Sequence, residues 1–203
     1  MITVGKGNET MTESGINILG LSGSTRKESY NTKLLMVALE RAELKGARTT
    51  QLDLGTINLP FYDADLEGQS GLPDEVRNLK KQFEEADGLM IATPEYNGFF
   101  PGLLKNCFDW LTRRTGPEDP ILSAFSGKVA GLMSATVGGS GGVRSLTSLT
   151  SQLHYLGVTV LPRPFSLIHA GKSFTNGGAL PVENMNALDD MSAALLHALR
   201  KSD

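Results

Sequence analysis

Short apolar segments alternate with helical stripes along almost the whole chain, and this alternation restricts the fold more than any other feature of the sequence. Residues 16–22 (INILGLS) read as a short buried strand. A helix over 31–45 follows, with Leu34, Leu35, Ala38 and Ala42 on one stripe and Gly46 where a C-cap glycine belongs. Residues 48–54 alternate like a strand, and 55–71 form a long connection rich in Gly and Asp. Pro73 opens a helix that carries Leu72, Val76, Leu79, Phe83 and Ala86 at helical spacing. Residues 88–93 are a fully apolar strand ended by Pro94, and Pro101 opens a helix with Leu104, Cys107, Phe108 and Leu111. Residues 128–135 form another buried strand before the glycine-rich TVGGSGG. A stripe of Val143, Leu146, Leu149 and Leu153, a short strand at 158–161 and a terminal helix over 185–199 complete the pattern.

Strands this short and this apolar are buried on both faces, so the sheet is parallel and covered by helices on either side. Five strands and five helices fit a doubly wound α/β fold of the flavodoxin-like order 2-1-3-4-5, with helices on both faces. A chain of 203 residues with 40% apolar content suits one such domain, over residues 16–203. Residues 1–15 are polar, lack the apolar centre of a signal peptide and read as a flexible extension, with Met11 as an alternative start. The net charge of -3 argues against general affinity for nucleic acid, and no apolar run has the length to enter a membrane. The lone cysteine, Cys107, leaves no internal disulfide and no cysteine metal cluster, which makes the cytoplasm the expected compartment. His154, His169 and His197 show no ligand spacing, so no metal site is expected.

Ligands of such folds bind beyond the carboxyl ends of the strands. Three loops leave those ends with unusual composition: SGSTRKESYNT, TPEYNGFFPG and SATVGGSGG. The first has the makings of a phosphate cradle. Hydroxyls of Ser22, Ser24, Thr25, Ser29 and Thr32 join the polarised N–H groups of a helix start, and Arg26 adds a charge and a fork. The same residues also suit a plain N-cap at Ser29 beside a solvated Arg26. In the second loop Pro94 and Gly98 fix a turn, and Tyr96 and Phe99 offer flat surfaces; an ordinary turn that exposes Tyr96 and buries Phe99 has the same composition. The third loop is glycine-dense, which suits close approach to a flat ligand or simple flexibility. No G-x-x-x-x-G-K-[ST] is present, and no G-x-G-x-x-G follows the first strand.

Together these residues resemble the NADPH-dependent FMN reductase family, in its quinone, azo and chromate reductase branch. The first motif, G-S-x-R-x-x-S-x-N, stands as Gly23, Ser24, Arg26, Ser29 and Asn31, and P-E-Y-N as Pro94 to Asn97. The continuation P-x-x-L-K-N-x-x-D-W runs from Pro101 to Trp110, and a strand ending in Ser134 precedes Gly138 and Gly139. The resemblance extends from Ile16 to the C-terminus. It implies bound FMN, with Ser24, Arg26, Ser29, Asn31 and Thr32 on its phosphate. Pro94, Glu95, Tyr96 and Asn97 would line the ring, and Ser134 and Gly138 would meet its far edge. It also implies NADPH or NADH as hydride donor and a homodimer or homotetramer.

The function implied is reduction of quinones and other small acceptors, among them azo compounds, chromate and ferric chelates, by ping-pong hydride transfer. The flavin carries the chemistry and no protein side chain is expected to be catalytic. Trp110 and Asp109 read as structural, and Cys107 as a buried helix residue. Competing readings are a flavodoxin-type electron carrier, an FMN-binding redox partner without turnover, and a reductase that hands reduced FMN to a monooxygenase. Flavodoxins are typically more acidic and carry a Thr-rich phosphate loop, whereas this loop contains Arg26.

Overall fold

The computed structural model describes residues 15–174 and 180–200. The elements are β1 (Asn17–Ser22), α1 (Tyr30–Glu43), β2 (Arg48–Leu52), α2 (Ala64–Ser70), α3 (Asp74–Glu84), β3 (Gly88–Ala92) and α4 (Gly102–Leu111). They continue with β4 (Val129–Ala135), α5 (Val143–Tyr155), β5 (Thr159–Val160), β6 (Phe165–Leu167), α6 (Ala170–Ser173) and α7 (Val182–Arg200). The expected N-terminal extension lies, apart from Gly15, outside the described residues.

All strand pairings are parallel, in the order β2-β1-β3-β4-β5. Every residue of β3 and β4 is buried, as the uninterrupted apolar runs require of central strands. α3, α4 and α5 cover one face over a core that includes Leu79, Phe83, Leu104, Phe108, Leu149 and Leu153. α1 and α7 cover the other, through residues such as Leu34, Leu35, Ala38, Leu188 and Leu195.

Three features differ from the pattern read in the sequence. The sheet has six strands, because the position beside β4 is shared: β5 pairs with Val129 and Ala130, and β6 with Met133 to Ala135. Pro162 and Pro164 between them have no N–H to donate, and Arg163 turns through a φ of 63°, so one continuous strand cannot form. The connection at 55–71 contains α2, none of whose residues is buried. Its start is set by a cap instead of an apolar stripe, with Asp63 Oδ1 accepting from the N–H of Asp65 at 2.7 Å and of Leu66 at 3.3 Å. Finally, α6 adds a single turn after β6, and α7 begins at Val182, ahead of the expected 185.

The consequence for function is alignment. β1 and β3 end side by side, with Ser22 opposite Ala92, and β4 ends beside them. The N–H of Gly23 donates to Ala92 O at 2.8 Å and that of Thr93 to Met133 O at 2.9 Å, which carries the ladder into the first two loops. The three motif loops therefore leave one edge of the sheet together.

Candidate functional site

The first loop is organised around hydroxyls. Ser22 Oγ accepts from Thr32 Oγ1 at 2.9 Å and from the N–H of Ser24 at 3.3 Å. Ser24 Oγ accepts from the N–H of Arg26 at 3.3 Å. Ser29 caps α1 by accepting from the N–H of Thr32 at 3.2 Å, and no acidic residue occupies the first turn. Only one of the early helix donors is met in this way; the N–H groups of Tyr30 and Asn31 precede any intrahelical acceptor. Glu28, the nearest carboxylate in sequence, is held at 2.6 Å by Lys33, whose hydrogen bond and charge keep its carboxyl below its ordinary pKa. Arg26 is exposed, and its guanidinium has no hydrogen-bond partner among the described residues. The loop thus presents donors with no carboxylate free to compete for them.

The side chain of Asn31, which the resemblance implies for the phosphate, is engaged with β4. The residue is 4% exposed, and its amide meets the end of β4: Nδ2 donates to Ala135 O at 3.0 Å and Oδ1 accepts from the N–H of Ala135 at 2.8 Å. Its side chain joins the first loop to the end of β4, from which the third loop leaves, and its backbone N–H stays with the helix start.

The second loop is a two-residue hairpin. Tyr96 N–H donates to Phe99 O at 2.9 Å and Phe99 N–H to Tyr96 O at 3.1 Å, around Asn97 (φ 53°) and Gly98 (φ 80°). Positive φ at both central residues is the type I′ turn that Asn-Gly favours. The turn leaves Tyr96 54% and Phe99 51% exposed, and Phe99 stacks on the buried Phe100 with centroids 4.5 Å apart. Phe99 is therefore part of the exposed wall as well as Tyr96, and Asn97 is exposed between them. Pro94 is buried beneath. Glu95 turns away from the wall: its side chain is 8% exposed, Oε2 accepts from the backbone N–H of Arg144 at 3.2 Å, and Oε1 is bonded to the Arg144 guanidinium. It acts as a cap for α5 and a tie to the third loop.

In the third loop the glycines divide into two kinds. A Cβ on Gly141 would lie 1.9 Å from Ser166 Oγ, and one on Gly142 would lie 1.9 Å from Ser134 Oγ; both residues have positive φ. Only glycine permits the chain to pass this close over β4 and β6. A Cβ on Gly138, by contrast, would meet nothing within 4 Å. The Gly138 carbonyl accepts from the N–H of His169 at 3.1 Å, which leaves an exposed, flat stretch of backbone above the sheet edge. Ser134 is fully buried under Gly142, and its hydroxyl has no hydrogen-bond partner among the described residues.

These residues fit a flavin mononucleotide. A dianionic phosphate matches the unmet donors of the first loop and Arg26, and a flat ring matches an uncharged wall facing open glycine backbone. The family model for NADPH-dependent FMN reductases matches residues 16–172. The chain belongs to that family. An NAD(P)H-dependent FMN reductase of Pseudomonas aeruginosa is 36% identical over 158 residues, which cover 78% of this chain and 80% of that one. A quinone reductase of Escherichia coli K12 is 36% identical over 150 residues, 73% of this chain and 75% of that one. Among solved structures, the flavoenzyme NAD(P)H:(acceptor) oxidoreductase FerB of Paracoccus denitrificans superposes with a TM-score of 0.78 at 28% identity, covering 92% of this chain and 98% of FerB. An archaeal flavodoxin shares the fold at a TM-score of 0.62 and 9% identity, with 91% of this chain and 99% of that one covered.

The remaining motif of this FMN reductase family member, on α4, is structural. Lys105 pairs with Asp109 at 2.5 Å. Asn106 Nδ2 and Trp110 Nε1 both donate to Pro60 O at 2.8 Å, and Asn106 Oδ1 accepts from the N–H of Tyr62 at 2.8 Å. The helix thereby clasps the chain that follows β2. Burial pushes the Cys107 thiol up to about 12, so it stays protonated and unreactive. Among the described residues no His, Cys, Asp and Glu cluster is arranged to hold a metal. The sequence reading missed Arg144, which looks like any polar residue on a helix surface; the excess of glycine immediately before it was the available signal.

Proposed function

We propose that this protein is an FMN-dependent NAD(P)H oxidoreductase that reduces quinones and related small acceptors, azo compounds among them. The observation that carries the reading is the juxtaposition of an anion cradle with unmet donors and an exposed, uncharged aromatic wall at one sheet edge. When bound, FMN supplies the hydride relay between the nicotinamide and the acceptor. Ser24, Ser29, Thr32 and Arg26 hold the phosphate, with the α1 N–H groups completing its shell. Tyr96, Asn97 and Gly138 bound the ring, over Pro94. Asn31 and Glu95 fix the three loops relative to one another, so that cradle and wall keep their spacing.

Hydride donor and acceptor use the same open face in turn, which gives ping-pong kinetics. Chromate and ferric chelates also qualify as acceptors, since an open face does not select one shape. The protein works in the cytoplasm as a single domain over 16–203; no described helix is long and apolar enough to cross a membrane. It assembles as a homodimer or homotetramer, in keeping with the exposed Ile121 and Tyr155 beside α4 and α5.

Turnover is the test. Purified protein carrying FMN should oxidise NADPH or NADH when menadione is added, with parallel double-reciprocal lines at several fixed donor concentrations. Flavin reduction without turnover would indicate an electron carrier, and intersecting lines would indicate separate sites for donor and acceptor.

A further inference from the structure

Arg144 is held in an unusual way. Its partner Glu95 is buried, and that carboxylate uses one oxygen on the Arg144 backbone N–H and the other on its guanidinium. The arginine itself is 61% exposed at the side chain. Its stem passes over the tip of the hairpin, where a Cβ on Gly98 would lie 3.5 Å from its Nε. The Lys80–Asp119 pair, by contrast, is closed on both sides, with side chains 3% and 12% exposed. Here both carboxylate oxygens are engaged, while the guanidinium is bonded only through Nη2 among the described residues and its side chain stays exposed.

The surroundings give those donors a use. Arg144 stands at the start of α5, whose first turn contains no acidic residue, so the helix end adds to its positive field. Beside it lies the uncharged wall of Tyr96, Asn97 and Phe99. A nicotinamide stacked on the open face of a flavin held beside that wall must lead its diphosphate and adenosine ribose outward past the rim. A fixed arginine fork is suited to meet a phosphate there, since Glu95 has already restricted its rotamers.

We propose that Arg144 binds a phosphate group of the nicotinamide hydride donor, and that Glu95 positions it for that role. The inference rests on the proposed function, in which the hairpin bounds the flavin ring and the hydride donor stacks on its open face. The phosphate is either the diphosphate common to NADH and NADPH or the 2′-phosphate that NADPH alone carries.

Steady-state kinetics of the FMN-loaded Arg144→Gln variant separate these sources. KM for the donor should rise roughly tenfold or more, the scale of a lost charge-assisted hydrogen bond, with the effect on KM and little on kcat. A rise for NADPH alone assigns the 2′-phosphate, and an equal rise for both donors assigns the diphosphate. Arg144→Lys should recover part of the loss. Calorimetric titration of the FMN-loaded protein with 2′,5′-ADP and with ADP provides a readout independent of turnover. Unchanged KM values together with unchanged affinity for both fragments would overturn the proposal. So would a KM rise that merely tracks loss of FMN from the variant, since Arg144 would then act only through loop structure. If the wild type oxidises neither donor, the proposed function falls, and the calorimetric comparison still judges Arg144.

Discussion

Two polar networks in this molecule are built from similar groups and end in opposite states. One lies on the α3 and α4 side. Lys80 Nζ donates to Arg113 O at 2.6 Å and is bonded to Asp119, while Asp119 also accepts from Thr115 N–H at 2.9 Å and Oγ1 at 3.1 Å. Nearby, Asn106 and Trp110 close on Pro60 O. The other lies at the carboxyl edge of the sheet. There Asn31 is tied to the backbone of Ala135 and Glu95 to Arg144, yet among the described residues the Arg26 guanidinium and the first N–H groups of α1 have no hydrogen-bond partner, and Arg144 stays exposed. A network that satisfies itself stabilises the fold. One that ends in unmet donors, held rigid by satisfied ones, is prepared for a ligand.

The contrast predicts that damage to the two networks has different readouts. The largest effect is expected for Asp119→Ala. It strands the buried Lys80 ammonium and should cost about 3–5 kcal/mol of stability in urea melts, while folded protein keeps its FMN affinity. Loss of FMN affinity in that variant would erase the distinction between the networks. Arg26→Ala should do the reverse. FMN binding should weaken by roughly 1.5–3 kcal/mol in a fluorescence titration, riboflavin binding should not change, and the urea midpoint should stay in place. Asn31→Ala sits between the two. It leaves the buried N–H and C=O of Ala135 unpaired, at about 1–3 kcal/mol for the unmet groups, and should lower both stability and FMN affinity. If it affected only one of them, Asn31 would not be the joint between loops described above.

The last effect is confined to acid and concerns the same aspartate. The Lys80 hydrogen bond pulls the Asp119 carboxyl down to about 2, against the opposing effect of burial, with further help from Thr115. The unfolded chain, with its carboxyl at about 4, binds more protons than the native state between those values. The stabilisation is therefore complete above pH 4 and fades as pH falls toward 2. Urea midpoints of wild type and Asp119→Asn should converge over that interval; a constant gap would show that Lys80 does not control this carboxyl.

Sequence and structure agree most closely where burial dictates residue type. β1, β3 and β4 were legible because strands covered on both faces admit few polar residues, and their order followed from the alternation with helices. The first loop stood out as a candidate anion cradle because hydroxyls, Arg26 and a helix start form a local pattern. Partners distant in sequence were not. Asn31 meets Ala135 across 104 residues, and Glu95 meets Arg144 across 49, so nothing near either residue records the pairing. The third loop misleads for another reason. Gly138, Gly139, Gly141 and Gly142 are identical in composition, and only φ and the hydroxyls beneath distinguish the structural pair at 141–142 from the open pair before it. α2 was hidden because it has no buried stripe to read.

The divided strand beside β4 bears on how the protein behaves when crowded. A sheet border with a long, flat row of free N–H and C=O groups is a template on which another chain can add. Here that border consists of the two residues of β5 and the three of β6, interrupted by Pro162 and Pro164. The opposite border is β2, five residues beginning Arg48, Thr49, Thr50, Gln51, in which only Leu52 is buried. Brevity and proline guard one side, and polar side chains guard the other. Sheet-to-sheet growth into fibres is thereby discouraged at both ends.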